Sequence, residues 1–500
     1  MSKKISKKKS KNILGTFTLD NDQFVVGELK LKGAETLLKL HSDKLLQMPE
    51  HDVPLNGITY GGDFVTLVDC VSSGIGERHK GQITRYYADV FPHYVALGKQ
   101  HLDPINPCIK EIHFSITDIT TLFYDFDAFG TLINPNPIID SVLQERRIMR
   151  PVESGDNPQI CYYTGKDCIA EIPTKIGNIS INHRPTYSLG GPRGVYISNK
   201  IFISIKPQAP VTFKSAIDNI YLLCNFLSTT AGRIQGIKDI QINLHSSNSE
   251  SEFPNILNIY PSFLPKTRKS YSQSKPHPAD IPLDPIHRPE EFSSVIQNWI
   301  DRHDDWFLSR SRYINCLSKG NSYGVDRLVA AANMFDILPL SAFPQPTPLD
   351  HDFLVTKETC ISLLKQHPSS SDRDSALSAL GRLGQLSLPK KVAHRVSIID
   401  EKLGNQFSEL QLVAKIAVKC RNFYVHGSSD GLDIKKMEEV VPFLTDALEF
   451  IFAASDFIEA GWDATTWKNS DFIGSGHSFT RFRLSYRENL TLAKKILHTK

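Results

Sequence analysis

Cysteine is scarce and scattered in this chain, with 8 among 500 residues. The nearest pair, Cys161 and Cys168, lacks the short spacing of a zinc knuckle or a redox motif. Free thiols in a reducing cytosol follow from that usage. No carboxylate cluster and no His/Cys ligand spacing marks a catalytic metal, so neither a metal nor a cofactor is expected. Charge of one sign is equally lacking: the formal net charge is only +3. That excludes a globally basic nucleic-acid binder and confines any RNA site to a local patch. Long apolar runs are missing as well, because the most apolar stretch, Val440 to Trp462, is interrupted by Pro442, Asp446, Glu449, Asp456 and Glu459. It reads as a bundle helix, and a cytoplasmic protein without a membrane partner is expected. The turn Gly190-Gly191-Pro192-Arg193-Gly194 has no Gly-Lys-Ser/Thr ending and precedes a strand, which makes it a tight connection and not a phosphate loop. No repeat recurs at a fixed period.

What is present describes a globular chain long enough for two or three domains, with 40% hydrophobic and 22% charged residues. Residues 1–12 hold six lysines with no apolar segment behind them, so they read as a disordered basic tail and not a secretory signal. Attraction to RNA and a merely solvated tail both remain open for it. Residues 13–245 alternate with a period of two between Gly, Pro, Asn and Asp breaks, which predicts a β-rich domain. One helix stands out there, over 213 to 231, with a closing strand from Ile237 to Leu244. Residues 246–289 are crowded with proline and serine and read as a linker or surface loop. Within it Lys266, Arg268, Lys269 and Lys275 lie among Tyr260, Phe263 and Tyr271, a mixture suited to a single RNA strand or to a solvated linker. Residues 290–470 turn helical, starting with a long helix through Phe292, Ile296, Ile300 and Trp306, and form an all-α bundle. Residues 471–500 are a basic extension carrying Arg481 and Arg483, which either faces RNA or docks on the bundle.

One helix organises the rest. In residues 408 to 427 Ser408 and Gln411 have the spacing of a capping box, and Leu410, Val413, Ala417, Cys420 and Tyr424 form one apolar face. Gly427 is placed to cap the C-terminus. The helix ends in Arg421-Asn422-Phe423-Tyr424-Val425-His426, and Arg421 is the one arginine in the chain with a histidine five to seven positions on. Five residues turn a helix about 140° past a full revolution, so the two side chains share a face only if the last turn loosens. A guanidinium shaped for phosphate beside an imidazole that exchanges protons near neutral pH is the minimum equipment for metal-free RNA cleavage. Two cations at a helix C-terminus also suit the dipole, so a purely structural role stays open. Cys420, on the apolar face, reads as core.

The RNFYVH segment fits the R-x4–6-H motif, and the chain resembles the ApeA-like members of the HEPN ribonuclease superfamily, proteins of prokaryotic phage defence. The segment Arg327-Leu328-Val329 through Asn333-Met334-Phe335-Asp336 resembles that family's early helix, with its acidic residue at Asp336. The resemblance implies an α+β multidomain protein, a β-rich N-terminal domain followed by an all-α HEPN bundle. It implies a latent, metal-independent endoribonuclease of abortive-infection defence, with Arg421 and His426 catalytic and Asn422 and Asp336 supporting; beside it, Lys415, Lys419, Arg481 and Arg483 are the expected RNA contacts. The expected partners are RNA, with tRNA among the candidates, a second copy completing a dimeric site within a dimer or larger homo-oligomer, and a phage-derived trigger. The competing expectation is a non-catalytic HEPN sensor or scaffold that binds RNA or nucleotide.

Overall fold

The computed structural model describes residues 11–49, 53–188, 190–192, 194–245, 255–263, 275–344, 349–427, 434–469, 474 and 476–498. The lysines at positions 3 to 9, the cluster at positions 266 to 271 and most of the proline-rich break after Phe343 lie outside the described residues. Lys11 and Asn12, expected in a disordered tail, instead open the first strand.

The N-terminal unit is built on one antiparallel sheet system. Strands β1 (Lys11–Thr18), β2 (Phe24–Leu31), β3 (Leu37–Ser42), β4 (Leu55–Thr59), β5 (Phe64–Lys80) and β6 (Ile83–Gly98) pair in the order β6-β3-β2-β1-β4-β5. β5 also pairs with β6, which closes these six strands into a barrel. The two-residue period explains its interior: Val25, Gly27, Leu29 and Leu31 point inward from β2, while Phe24, Val26, Glu28 and Lys30 face outward or half-outward. Phe17, Leu38, Leu40, Leu55, Val65 and Leu67 fill the same core.

β6 serves two sheets. Leu38 to Ser42 of β3 pair along its first half, Tyr86 to Val90. Its second half, Tyr94 to Gly98, pairs with β16 (Ile256–Pro261). Gly98 permits that junction, because a Cβ there would meet the Leu257 side chain at 2.5 Å and the Ile256 carbonyl at 2.8 Å. From β16 the sheet continues through β15 (Ile237–Leu244), β7 (Ile109–Ile116), β14 (Ile201–Lys206) and β11 (Gly177–His183) to β10 (Cys168–Thr174). The minor pairs β8 (Phe129–Thr131) with β9 (Cys161–Tyr163) and β12 (Thr186–Tyr187) with β13 (Ile197–Ser198) complete the strands, the latter joined across the glycine-rich turn. Helices α1 (Ile119–Leu122), α2 (Asn136–Met149) and α3 (Phe213–Ala231) are inserted; α3 is capped by Thr212 and buries most of its length.

Two expectations fail in this half. The 246–289 stretch is not a simple linker: Ile256 to Pro261 is a sheet strand with Leu257 and Ile259 buried, and Ile281 and Leu283 are buried further on. Its short apolar alternation is hidden by the surrounding prolines and serines. The long first helix is also two helices, α4 (Pro289–Asp301) and α5 (His303–Ser318). The chain divides into compact units at Ile300/Asp301, so α4 belongs to the N-terminal one. There Phe292 packs edge-on against Phe123 and Phe226, and Trp299 against Phe226.

The second unit is helical: α5, α6 (Val325–Asp336), α7 (His351–Lys365), α8 (Ser371–Gly381), α9 (Leu388–Leu403), α10 (Leu410–His426), α11 (Ile434–Met437), α12 (Val441–Ala460), α13 (Ala464–Lys468) and α14 (Ser478–His498). α12 is its axis, touching α5, α6, α9, α10 and α14. The acidic residues that interrupt this apolar helix meet buried arginines: Arg327 bonds Glu449 at 2.7 Å, Arg310 bonds Asp456 at 2.8 Å and Arg395 bonds Glu459 at 2.7 Å. Burial pushes the Asp456 carboxyl up, but Arg310, Arg302 and Arg395 outweigh it and hold the group below the usual carboxylate range. No helix among the described residues is long and apolar enough to cross a membrane.

Candidate active site at the tip of helix α10

α10 is fixed from below by its apolar face, with Leu410, Val413, Ala414, Ile416, Ala417, Val418 and Cys420 buried. Burial pushes the Cys420 thiol up to about 11, as befits an inert core cysteine. The expected capping box is not formed. Glu409, not Ser408, precedes the helix, in a left-handed conformation and with no side-chain cap. The Ser408 carbonyl accepts from the Tyr486 hydroxyl, and Gln411 reaches across to the Ala393 carbonyl. Tertiary partners have replaced the local ones.

At the other end Gly427 closes the helix at φ 74°, its N–H donating to the Phe423 carbonyl. The last turn does not loosen; it stays α-helical through His426. Arg421 and His426 meet instead through the length of their side chains, with Arg421 Nη1 3.4 Å from His426 Nε2. The guanidinium side of this contact can only donate, and the role of the ring nitrogen depends on the imidazole's tautomer.

The guanidinium is held on its other edge by α6. Arg421 Nε and Nη2 both donate to Asn333 Oδ1, at 3.2 and 2.8 Å, and Nη2 lies 3.7 Å from the Asp336 carboxylate. Asn333 and Asp336 are three residues apart and therefore share a helix face. Nη1 also donates to Asn422 Oδ1 at 3.0 Å. α6 is itself anchored by Arg327, which is buried against Glu449 and donates to the carbonyls of Gly320 and Ser322. Lys391, at the start of α9, donates to the Asp336 carbonyl at 2.7 Å.

The structure thus gathers Arg421, His426, Asn422 and Asp336 at one helix tip, with Arg421 half-buried and His426 exposed. Asn333 is the partner that sequence reasoning left without a role; its spacing from Asp336 was the available signal. Lys415 is exposed and Lys419 half-exposed along the same helix. Arg481 and Arg483 are not in this group. They belong to α14, which docks on the bundle through Phe479, Phe482 and Tyr486; Arg481 donates to the Gly476 carbonyl, and Arg483 donates to the Trp467 carbonyl while lying 4.7 Å over its ring. Both arginines stay partly exposed beside these carbonyl contacts, on a helix whose aromatic side chains turn inward.

Two family models match the chain: the ApeA N-terminal domain 1 over residues 12–299, more than half of its length, and the Apea-like HEPN domain over residues 329–466. No curated protein and no solved structure matches it. The first match ends at the division between the two units, and the second begins within α6 and contains α10, so that Asn333, Asp336, Arg421, Asn422 and His426 all fall inside it. The chain belongs to the ApeA family, as an ApeA-like HEPN protein.

Proposed function

We propose that this protein is a metal-independent endoribonuclease whose active groups are Arg421 and His426. The observation that carries the reading is the 3.4 Å approach of an always-charged guanidinium to an imidazole nitrogen on an exposed helix tip. His426 would take the proton of a ribose 2′-hydroxyl as its oxygen attacks the adjacent phosphorus. Arg421 would stabilise the negative charge that gathers on the phosphorane oxygens. Departure of the 5′-oxygen, with a proton delivered to it, leaves a 2′,3′-cyclic phosphate and a 5′-hydroxyl. One imidazole cannot be base and acid in the same step, so the pair is best completed by a second copy of the chain that brings its own helix tip. The chemistry needs a 2′-hydroxyl, so DNA should resist.

The test is cleavage of bulk tRNA by the wild type, Arg421→Ala and His426→Ala. Each substitution is expected to slow cleavage by about a hundredfold or more, and chelation by EDTA should leave the wild type active. Equal cleavage by all three proteins would overturn the assignment. RNA binding without turnover by the wild type would point to a sensor or scaffold.

A further inference from the structure

We propose that the groove between α9 and α10 seats a single strand of RNA and leads it to the Arg421–His426 tip, an inference that rests on the RNA-cleaving reading of that tip. The groove has a volume of about 370 Å³ and a predominantly apolar lining. That is within the roughly 300–1,000 Å³ range of small-molecule sites and leaves room for a base with its sugar. Its floor is Val392 from α9 with Leu412, Ala414 and Val418 from α10, and Lys390 and Lys415 stand at its edges, both exposed. Both helices that wall it also reach the candidate active site. Val418 precedes Arg421 by three residues, about 4.5 Å along the helix axis. Lys391, next to Lys390, holds the carbonyl of Asp336, whose carboxylate faces Arg421.

Charge decides the occupant. From Leu388 to Val396 α9 carries Lys390, Lys391, His394 and Arg395 with no carboxylate, and Arg395 is turned inward to Glu459. α10 carries Lys415, Lys419 and Arg421 with no carboxylate anywhere between Leu410 and His426. A strip of aliphatic floor between lysine edges fits a polyanion whose bases have apolar faces: the phosphates meet the ammonium groups while a base lies on Leu412 and Val418. A second copy of the chain fits less well. A two-fold contact sets the patch against itself, and lysines would then meet a surface without a carboxylate to answer them. The sequence-independent character of both interactions gives an entry groove and not a base-reading pocket.

The experiment uses the full chain and a fluorescent 2′-O-methyl dodecamer, which cannot supply the attacking hydroxyl, so that binding is read apart from cleavage. Anisotropy titrations at several salt concentrations compare the wild type with Lys390→Glu/Lys415→Glu, and with the milder Lys390→Gln/Lys415→Gln should the first pair impair folding. The expected result is a loss of affinity of about tenfold or more for charge reversal, with the slope of log affinity against log salt shallower by about 1.4. Unchanged affinity and slope, or no binding by the wild type, overturns the groove. So does a variant whose sedimentation shows a lost dimer while RNA affinity stays the same, because the face then belongs to a second copy. A wild type that binds through the groove yet cleaves no RNA leaves this inference standing and removes the nuclease reading. A wild type that cleaves but ignores the groove substitutions does the reverse.

Discussion

Arg421 is held by an amide oxygen where a carboxylate would have been the stronger anchor. A carboxylate at close range would neutralise the guanidinium, whereas the Oδ1 of Asn333 fixes Nε and Nη2 and leaves the positive charge available to a phosphate. Asp336, at 3.7 Å and partly exposed, is too loose to cancel it. Asn333 is therefore a positioning residue. Asn333→Ala is predicted to lower kcat on tRNA by about tenfold to a hundredfold through misplacement of the guanidinium, with a smaller effect on KM. Asn333→Asp should also be impaired, because the new carboxylate neutralises what it holds. Single-turnover cleavage checks both, and full activity in either variant would remove the role.

Among the elements, α12 shows how a helix this apolar carries four acidic side chains inside a bundle. Glu449, Asp456 and Glu459 are matched by arginines, but Asp446 faces the hydroxyl of Tyr323, which donates to both carboxylate oxygens at 2.9 Å. Burial, with Glu449 adding repulsion, pushes the Asp446 carboxyl from its ordinary 3.8 up to about 7. The sign of the resulting pH dependence follows. Between those two values the folded protein holds a proton that the unfolded chain releases, so this group's stabilisation is complete below pH 3.8 and lost as pH rises through 7. The slope approaches about 1.4 kcal/mol per pH unit at most. Asp446→Asn is predicted to abolish that component. Urea midpoints of wild type and variant from pH 4 to 8 should diverge with pH, and parallel curves would show that Asp446 titrates normally.

For the whole molecule, the division at Ile300/Asp301 gives each unit its own core: a closed barrel with an attached sheet on one side of the boundary, and a bundle around α12 on the other. A chain from Asp301 to Lys500 is therefore predicted to fold on its own, with a helical circular-dichroism spectrum and a cooperative urea transition. A non-cooperative transition would mean that the bundle needs residues before Asp301.

Residue patterns made much of this legible. The alternation in Phe24–Leu31, the stripe and Thr212 cap of α3, and the heptad-like face of α10 are local signals, and local signals survive in sequence because side-chain period reports which face is buried. The strand at Ile256–Pro261 was not legible. Its pairing is supplied by β15 and β6, the latter more than 150 positions earlier in the chain, and its own composition resembles a loop. The same holds for α4, whose helical period is plain but whose membership in the N-terminal unit is decided by Phe123 and Phe226.

By itself the sequence determined the β-then-α order, the helix that ends at Gly427, and the two residue types at its tip, because each is written in spacing along one chain. Only the tertiary structure decided that Arg421 reaches His426 without any unwinding, that Asn333 fixes it, and that Arg481 and Arg483 turn to other partners. The last two depend on which groups other elements bring within about 3 Å, and the first on how far two side chains of one helix reach, neither of which residue spacing encodes.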